Sequence, residues 1–147
     1  MEWSFLNMLF ISLTVAGLTL IHELGHILAA KQMKMRIFKI GAALGPIPHV
    51  FVAAEHPKEF WKRFIYLMAG SFITLTLFIL FLSLAPKSVH QWMYLAFALQ
   101  IIIETNPFYS DFTIITGLSR EEYIFSSKWY IHFTLWMGII LLLIQHY

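Results

Sequence analysis

Residues 4–26 read SFLNMLFISLTVAGLTLIHELGH. The first 18 of these, Ser4 to Ile21, hold no charge, close to the ~20 apolar residues that carry a helix across a bilayer. His22, Glu23 and His26 follow at once. Ionisable groups on a membrane helix are rarely idle, since one charge at mid-membrane costs about 2.5–3.5 kcal/mol even on insertion scales. Glu2 and no Lys or Arg precede the apolar run, and HELGH rather than a small-residue cleavage site follows it, which separates it from a signal peptide. A true transmembrane helix is expected.

Working outward, Phe64 to Ala85 gives 22 uncharged residues and Trp129 to Tyr147 gives 19. A fourth stretch, from about Gln91 to Thr116, is interrupted by Glu104, Asn106, Pro107 and Asp111 and reads as a span with a polar break. The composition agrees: the 147 residues are 59% hydrophobic and 12% charged, whereas a soluble domain is about half apolar and about a quarter charged. Too few charged side chains exist to cover a water-facing exterior. The absence of cysteine excludes disulfide frameworks, thiolate metal sites and cysteine nucleophiles. A net charge of +2 without a basic stripe argues against a nucleic-acid partner.

Between the first two spans, Met35 to Ala54 (MRIFKIGAALGPIPHVFVAA) sets strand-forming residues on either side of Gly45-Pro46 and Pro48. Turn chemistry between such arms predicts a hairpin, with strands near Ile37–Ile40 and Val50–Val52, at or in the cytoplasmic leaflet. The expected fold is therefore an all-α polytopic membrane protein with a short membrane-associated β-hairpin after its first helix. About four transmembrane helices, near 4–30, 61–85, 91–116 and 129–147, and a hairpin near 35–54 make a single domain over 1–147. Nine of ten basic residues (Lys31, Lys34, Arg36, Lys39, Lys58, Lys62, Arg63, Arg120, Lys128) fall on one side, and only Lys87 on the other. Both termini are thus expected outside the cytoplasm, in the cell membrane. Trp3, Trp92, Trp129 and Tyr147 lie near span ends, where an interfacial aromatic belt would put them.

In HELGH the two histidines, four residues apart, are about 40° apart around a helix, so both imidazoles can reach one metal ion, while Glu23 can address its water. With no cysteine, His and carboxylate are the donors at hand, and zinc is the ion that suits them. A carboxylate beside zinc-activated water can take its proton and pass it to a leaving amine. Catalytic zinc usually has three protein ligands, and the candidates for the third are Glu104, Asp111 and His132. Depth favours Asp111: counted along their helices, His22 and Asp111 both lie roughly 27–29 Å from the outer face, with Glu104 about 10 Å above. His132 reads as a core or interfacial histidine, and His49 and His56 as exposed loop residues. Ala69, Gly70 and Ser71 form a small-residue patch of the kind that lets two helices touch.

Four motifs in this order resemble the site-2 proteases, a family of zinc intramembrane metalloproteases. HELGH at 22–26 resembles their zinc motif, and LGP at 44–46 their Gly-Pro hairpin signature. RFIYLMAGSFIT at 63–74 resembles their Arg-containing Ala-Gly-Pro-x-x-Asn helix, and NPFYSD at 106–111 the Asn-Pro to Asp-Gly segment that supplies their third ligand. The resemblance covers roughly residues 18–116. Ser71 and Thr74 stand where Pro and Asn are usual, Phe112 where Gly is usual, and the Asn-to-Asp spacing is short, as in a small divergent branch.

The resemblance implies a zinc-dependent intramembrane endopeptidase. One zinc ion would be held by His22, His26 and Asp111, with Glu23 as the catalytic base. Asn106 would hold the substrate backbone or the oxyanion. The substrate would be a membrane-embedded peptide or a single-span protein, within the lipid bilayer. No PDZ or CBS domain is present, so a regulatory membrane partner would be another chain. The competing readings are a non-catalytic metal-handling membrane protein, which needs His22, His26 and Asp111 but not Glu23, and an inactive peptide-binding relative.

Overall fold

The opening apolar run forms one helix, α1 (Phe5–Gln32), in the computed structural model, which describes residues 5–43, 49–55, 57–84, 87–115 and 117–145. Lys34 ends it. Its left-handed backbone (φ 55°) lets the Met35 N–H reach the Ala30 carbonyl at 2.8 Å, and Met35 packs beside Ala29 and Ala30. This is a Schellman ending with its apolar contact. The chain then makes an antiparallel hairpin of β1 (Ile37–Ala43) and β2 (His49–Ala54), with Ile40 opposite Val52 and a register irregularity between Ile37 and Lys39. The expected turn at Gly45, Pro46 and Pro48 lies outside the described residues, as do Trp3, His56, Thr116 and Tyr147 and the side chain of His49.

Among the described residues five helices follow: α2 (Phe60–Leu84), α3 (Lys87–Glu104), α4 (Asp111–Ile115), α5 (Arg120–Tyr123) and α6 (Ser127–Gln145). Among the described residues α1, α2 and α6 are long and apolar enough to cross a membrane, and their exposed Leu, Ile and Phe side chains suit lipid. The expected crossing at 91–116 is two helices instead of one. Pro107 has no N–H to give the Ile103 carbonyl, and the Asn106 side-chain amide donates to that carbonyl in its place. The helix stops at Glu104, and α3 carries Lys87, His90, Gln91, Gln100 and Glu104 in 18 residues.

α1 and α2 meet backbone to backbone. A Cβ on Gly25 would lie 2.7 Å from the Ala69 carbonyl oxygen and 2.9 Å from Gly70 Cα, so the small-residue patch does form a close helix contact. Two apolar clusters flank this crossing. On one side Leu18, Phe78, Tyr94, Phe97 and Ala98 join α1, α2 and α3; on the other Ala29, Ala30, Tyr66 and Leu67 receive Ile37, Ala54 and Ile115. Polar groups are held between them.

The remaining chain braces the end of α3. His132 on α6 donates from Nε2 to the Thr105 carbonyl (2.8 Å), so its Nδ1 accepts the Tyr123 hydroxyl (2.6 Å); it is a structural histidine, as its sequence context suggests. Trp129 is buried against Phe108, Phe125 and Phe133 rather than standing in an exposed belt. Ser119 and Glu122 form a reciprocal capping box on α5, and the two Ser119 donors hold the exposed Glu122 carboxyl below its ordinary range.

Candidate metal centre

His22 and His26 lie on the buried face of α1 and Asp111 opens α4. His22 Nε2 and His26 Nε2 are 3.1 Å apart, and Asp111 Oδ2 is 3.2 Å from the first and 2.9 Å from the second. A tetrahedral zinc ion with ligands at 2.0–2.1 Å has ligand-to-ligand edges of about 3.3 Å. Donors at this separation suit either a ring N–H shared with the Asp111 carboxylate or a cation held among them, and two imidazoles with one carboxylate suit a borderline divalent metal. The donor set therefore fits a metal ion.

The far side of each ring agrees. His26 Nδ1 is 2.9 Å from the Tyr66 carbonyl oxygen, which can only accept, so the N–H is on Nδ1 and the Nε2 lone pair faces inward. His22 Nδ1 lies 2.9 Å from Glu104 Oε1 in a close but bent contact, since no partner of good hydrogen-bond geometry faces that nitrogen. The His22 ring lies flat on Gly70, where an added Cβ would come within 2.6 Å of Nε2 and Cε1.

Glu104 is thus against the histidine, not two helical turns above it as the helix count gives. That count treats residues 91–116 as one continuous helix. The break lets the chain turn through residues 105–110, so Glu104 and Asp111 approach opposite edges of the same imidazole.

Asn106 also departs from expectation. Its Oδ1 accepts the Phe108 and Tyr109 N–H groups at 3.0 and 2.8 Å, and its amide donates to the Ile103 carbonyl. These bonds within its own turn shape the loop that presents Asp111. Arg63 secures the other end of α4, with Nε donating to the Ile115 carbonyl at 3.0 Å.

Glu23 shares a cavity of about 220 Å³ with His26, Asp111, Tyr66 and Phe51 to Ala54 of β2. Ligand atoms of His22, Glu23 and His26 also all lie within 4.8 Å of one another, a looser set than the one that includes Asp111. The Glu23 carboxyl lies near the Val52 backbone N–H, and the Tyr66 hydroxyl reaches the Val52 carbonyl at 3.4 Å. The outward edge of β2 therefore faces the cavity.

Sequence reasoning passed over Gln100 and Tyr66, and noted Thr74 only as a departure from the resembling motif. Gln100 and Glu104 are four residues apart on an otherwise apolar stretch, a spacing that marks an inward polar face. Tyr66 contributes a backbone carbonyl, which leaves no trace in residue identity. No protein-family model matches this chain, and no curated protein or solved structure matches it.

Proposed function

We propose that this chain is a zinc-dependent intramembrane endopeptidase hydrolysing peptide bonds in a transmembrane segment or a membrane-bound peptide. The observation that carries this reading is the convergence of His22, His26 and Asp111 within 3.2 Å beside a cavity walled by Glu23. The four motifs resembling site-2 proteases support it.

His22, His26 and Asp111 would hold the ion. When bound, zinc supplies Lewis acidity and brings the pKa of water down to about 7. Glu23 takes a proton from the attacking water and delivers it to the leaving amine nitrogen. Asp111 is held in place by the Asn106 turn and Arg63, and His26 by the Tyr66 carbonyl. A cavity of about 220 Å³ is too small for a helix ~10–12 Å across, so the substrate enters unwound. The β2 edge at Val52 offers backbone groups to such a strand. Helix-weakening residues near the scissile bond then favour cleavage.

The test uses purified full-length protein in vesicles with a single-span reporter peptide carrying a glycine-rich centre. Cleavage is expected, with loss on metal removal by a chelator and recovery on adding one equivalent of zinc. Zinc uptake without cleavage of reporters of varied sequence would instead leave a metal-handling or peptide-binding protein.

The membrane arrangement proposed with this function has four crossings, α3 and α4 together forming the broken one, in the cell membrane with both termini outside. Its support is the nine-to-one distribution of basic residues. In intact cells an impermeant thiol reagent should label a cysteine at Glu2 and spare one at Lys34, a clean comparison because the native chain has no cysteine. The reverse pattern would invert the topology.

A further inference from the structure

Glu104 is 8% exposed, Gln100 2% and Thr74 0%. These polar side chains lie where α1, α2 and α3 pack, in a bundle whose outer face is apolar. Their hydrogen bonds converge on one atom: Thr74 Oγ1 and Gln100 Nε2 each donate to Glu104 Oε1 at 2.8 Å. Gln100 is held in turn, its Oε1 lying 3.1 Å from Thr19 Oγ1 on α1. The remaining neighbour of Glu104 Oε1 is His22 Nδ1, at 2.9 Å.

The two histidines differ in how their outer nitrogens are held. His26 Nδ1 meets the Tyr66 carbonyl, a rigid backbone acceptor. Among the described residues no backbone carbonyl is in good hydrogen-bond geometry with His22 Nδ1, and the close Gly70 contact restrains only the face of the ring. A side-chain acceptor must then fix its rotation and its tautomer. Resting on the zinc protease reading above, we propose that Glu104, anchored by Thr74 and Gln100, is the positioning residue of His22. It keeps the N–H on Nδ1 and the Nε2 lone pair turned toward His26 and Asp111.

Glu104 does not share the ion, because it lies on the edge of the ring opposite to the three converging donors. Two donors hold its carboxylate independently of the imidazole, so the ring is oriented by a group that is itself anchored. Outer carboxylates of this kind commonly fix the tautomer and raise the donor strength of a metal-bound histidine. The same geometry gives a membrane-buried carboxylate a specific use.

The test measures zinc affinity of the detergent-solubilised full chain by competition with a chromophoric chelator, and the visible spectrum with cobalt(II) as the sole added metal. Glu104→Gln should bind zinc about 10–100-fold more weakly than wild type, with cobalt bands changed in position and intensity. Glu104→Asp, which keeps a carboxylate, should recover part of the affinity. Thr74→Val, which loosens the anchor without touching His22, should weaken zinc several-fold (roughly, on the same scale). A merely structural role would leave the cobalt spectrum of a folded variant unchanged. Wild-type affinity and spectrum in Glu104→Gln would overturn the assignment; if that variant does not fold, the same result in Thr74→Val overturns it. A wild-type protein that takes up neither metal would instead remove the metal site itself.

Discussion

Glu23→Gln is expected to retain zinc at the wild-type level and to lose turnover by a factor of about 10² to 10⁴, the range that a positioned general base contributes. The amide has nearly the same size and still offers an oxygen toward the nearby Val52 backbone N–H, so the wall of the cavity is little disturbed. The proton acceptor does not. His22, His26 and Asp111 are left intact, which keeps the two readouts separate. Zinc content and reporter cleavage measured on one preparation decide the matter. Cleavage at the wild-type rate would exclude Glu23 as the base and with it the chemistry proposed here.

Gly70→Ala should cost the protein most of its zinc affinity although residue 70 is no ligand. An added methyl would sit 2.6 Å from His22 Nε2 and Cε1, well inside van der Waals contact. The ring has no retreat, with Glu104 at one nitrogen and His26 and Asp111 at the other. Moving α2 away opens the crossing at Gly25, where the Ala69 backbone is already in contact. Overpacking of this kind typically costs about 1–3 kcal/mol, and displacement of the histidine should weaken zinc by about 10–100-fold, as other losses of ligand orientation do. Gly17→Ala and Gly138→Ala provide the comparison, because neither Cβ would meet an atom within 4 Å. Those two should hold zinc normally and gain stability slightly, by up to ~1 kcal/mol from helix propensity. Equal zinc affinity in Gly70→Ala and Gly17→Ala would show that the α1–α2 crossing does not constrain the site.

What the amino-acid sequence determined by itself was whatever depends on near neighbours. Uncharged runs of 18, 22 and 19 residues mark the apolar segments of α1, α2 and α6 because helix length and transfer energy act locally. The i, i+4 spacing puts His22 and His26 on one face because helical rotation per residue is fixed. Asn106-Pro107 breaks the third apolar stretch because a missing N–H acts on its own turn. Tertiary structure decided the rest. Helix counting placed Glu104 away from His22, since it assumed one continuous helix where the chain breaks between Glu104 and Asp111. Asn106 looked like a substrate-facing amide, and only the folded turn revealed that its oxygen serves Phe108 and Tyr109. That Gly70 floors the His22 ring, and that Tyr66 orients His26 through a carbonyl, follow from how two helices rotate and approach. Those quantities are set by the summed packing of both faces and the clusters on either side, which no single stretch of the chain encodes.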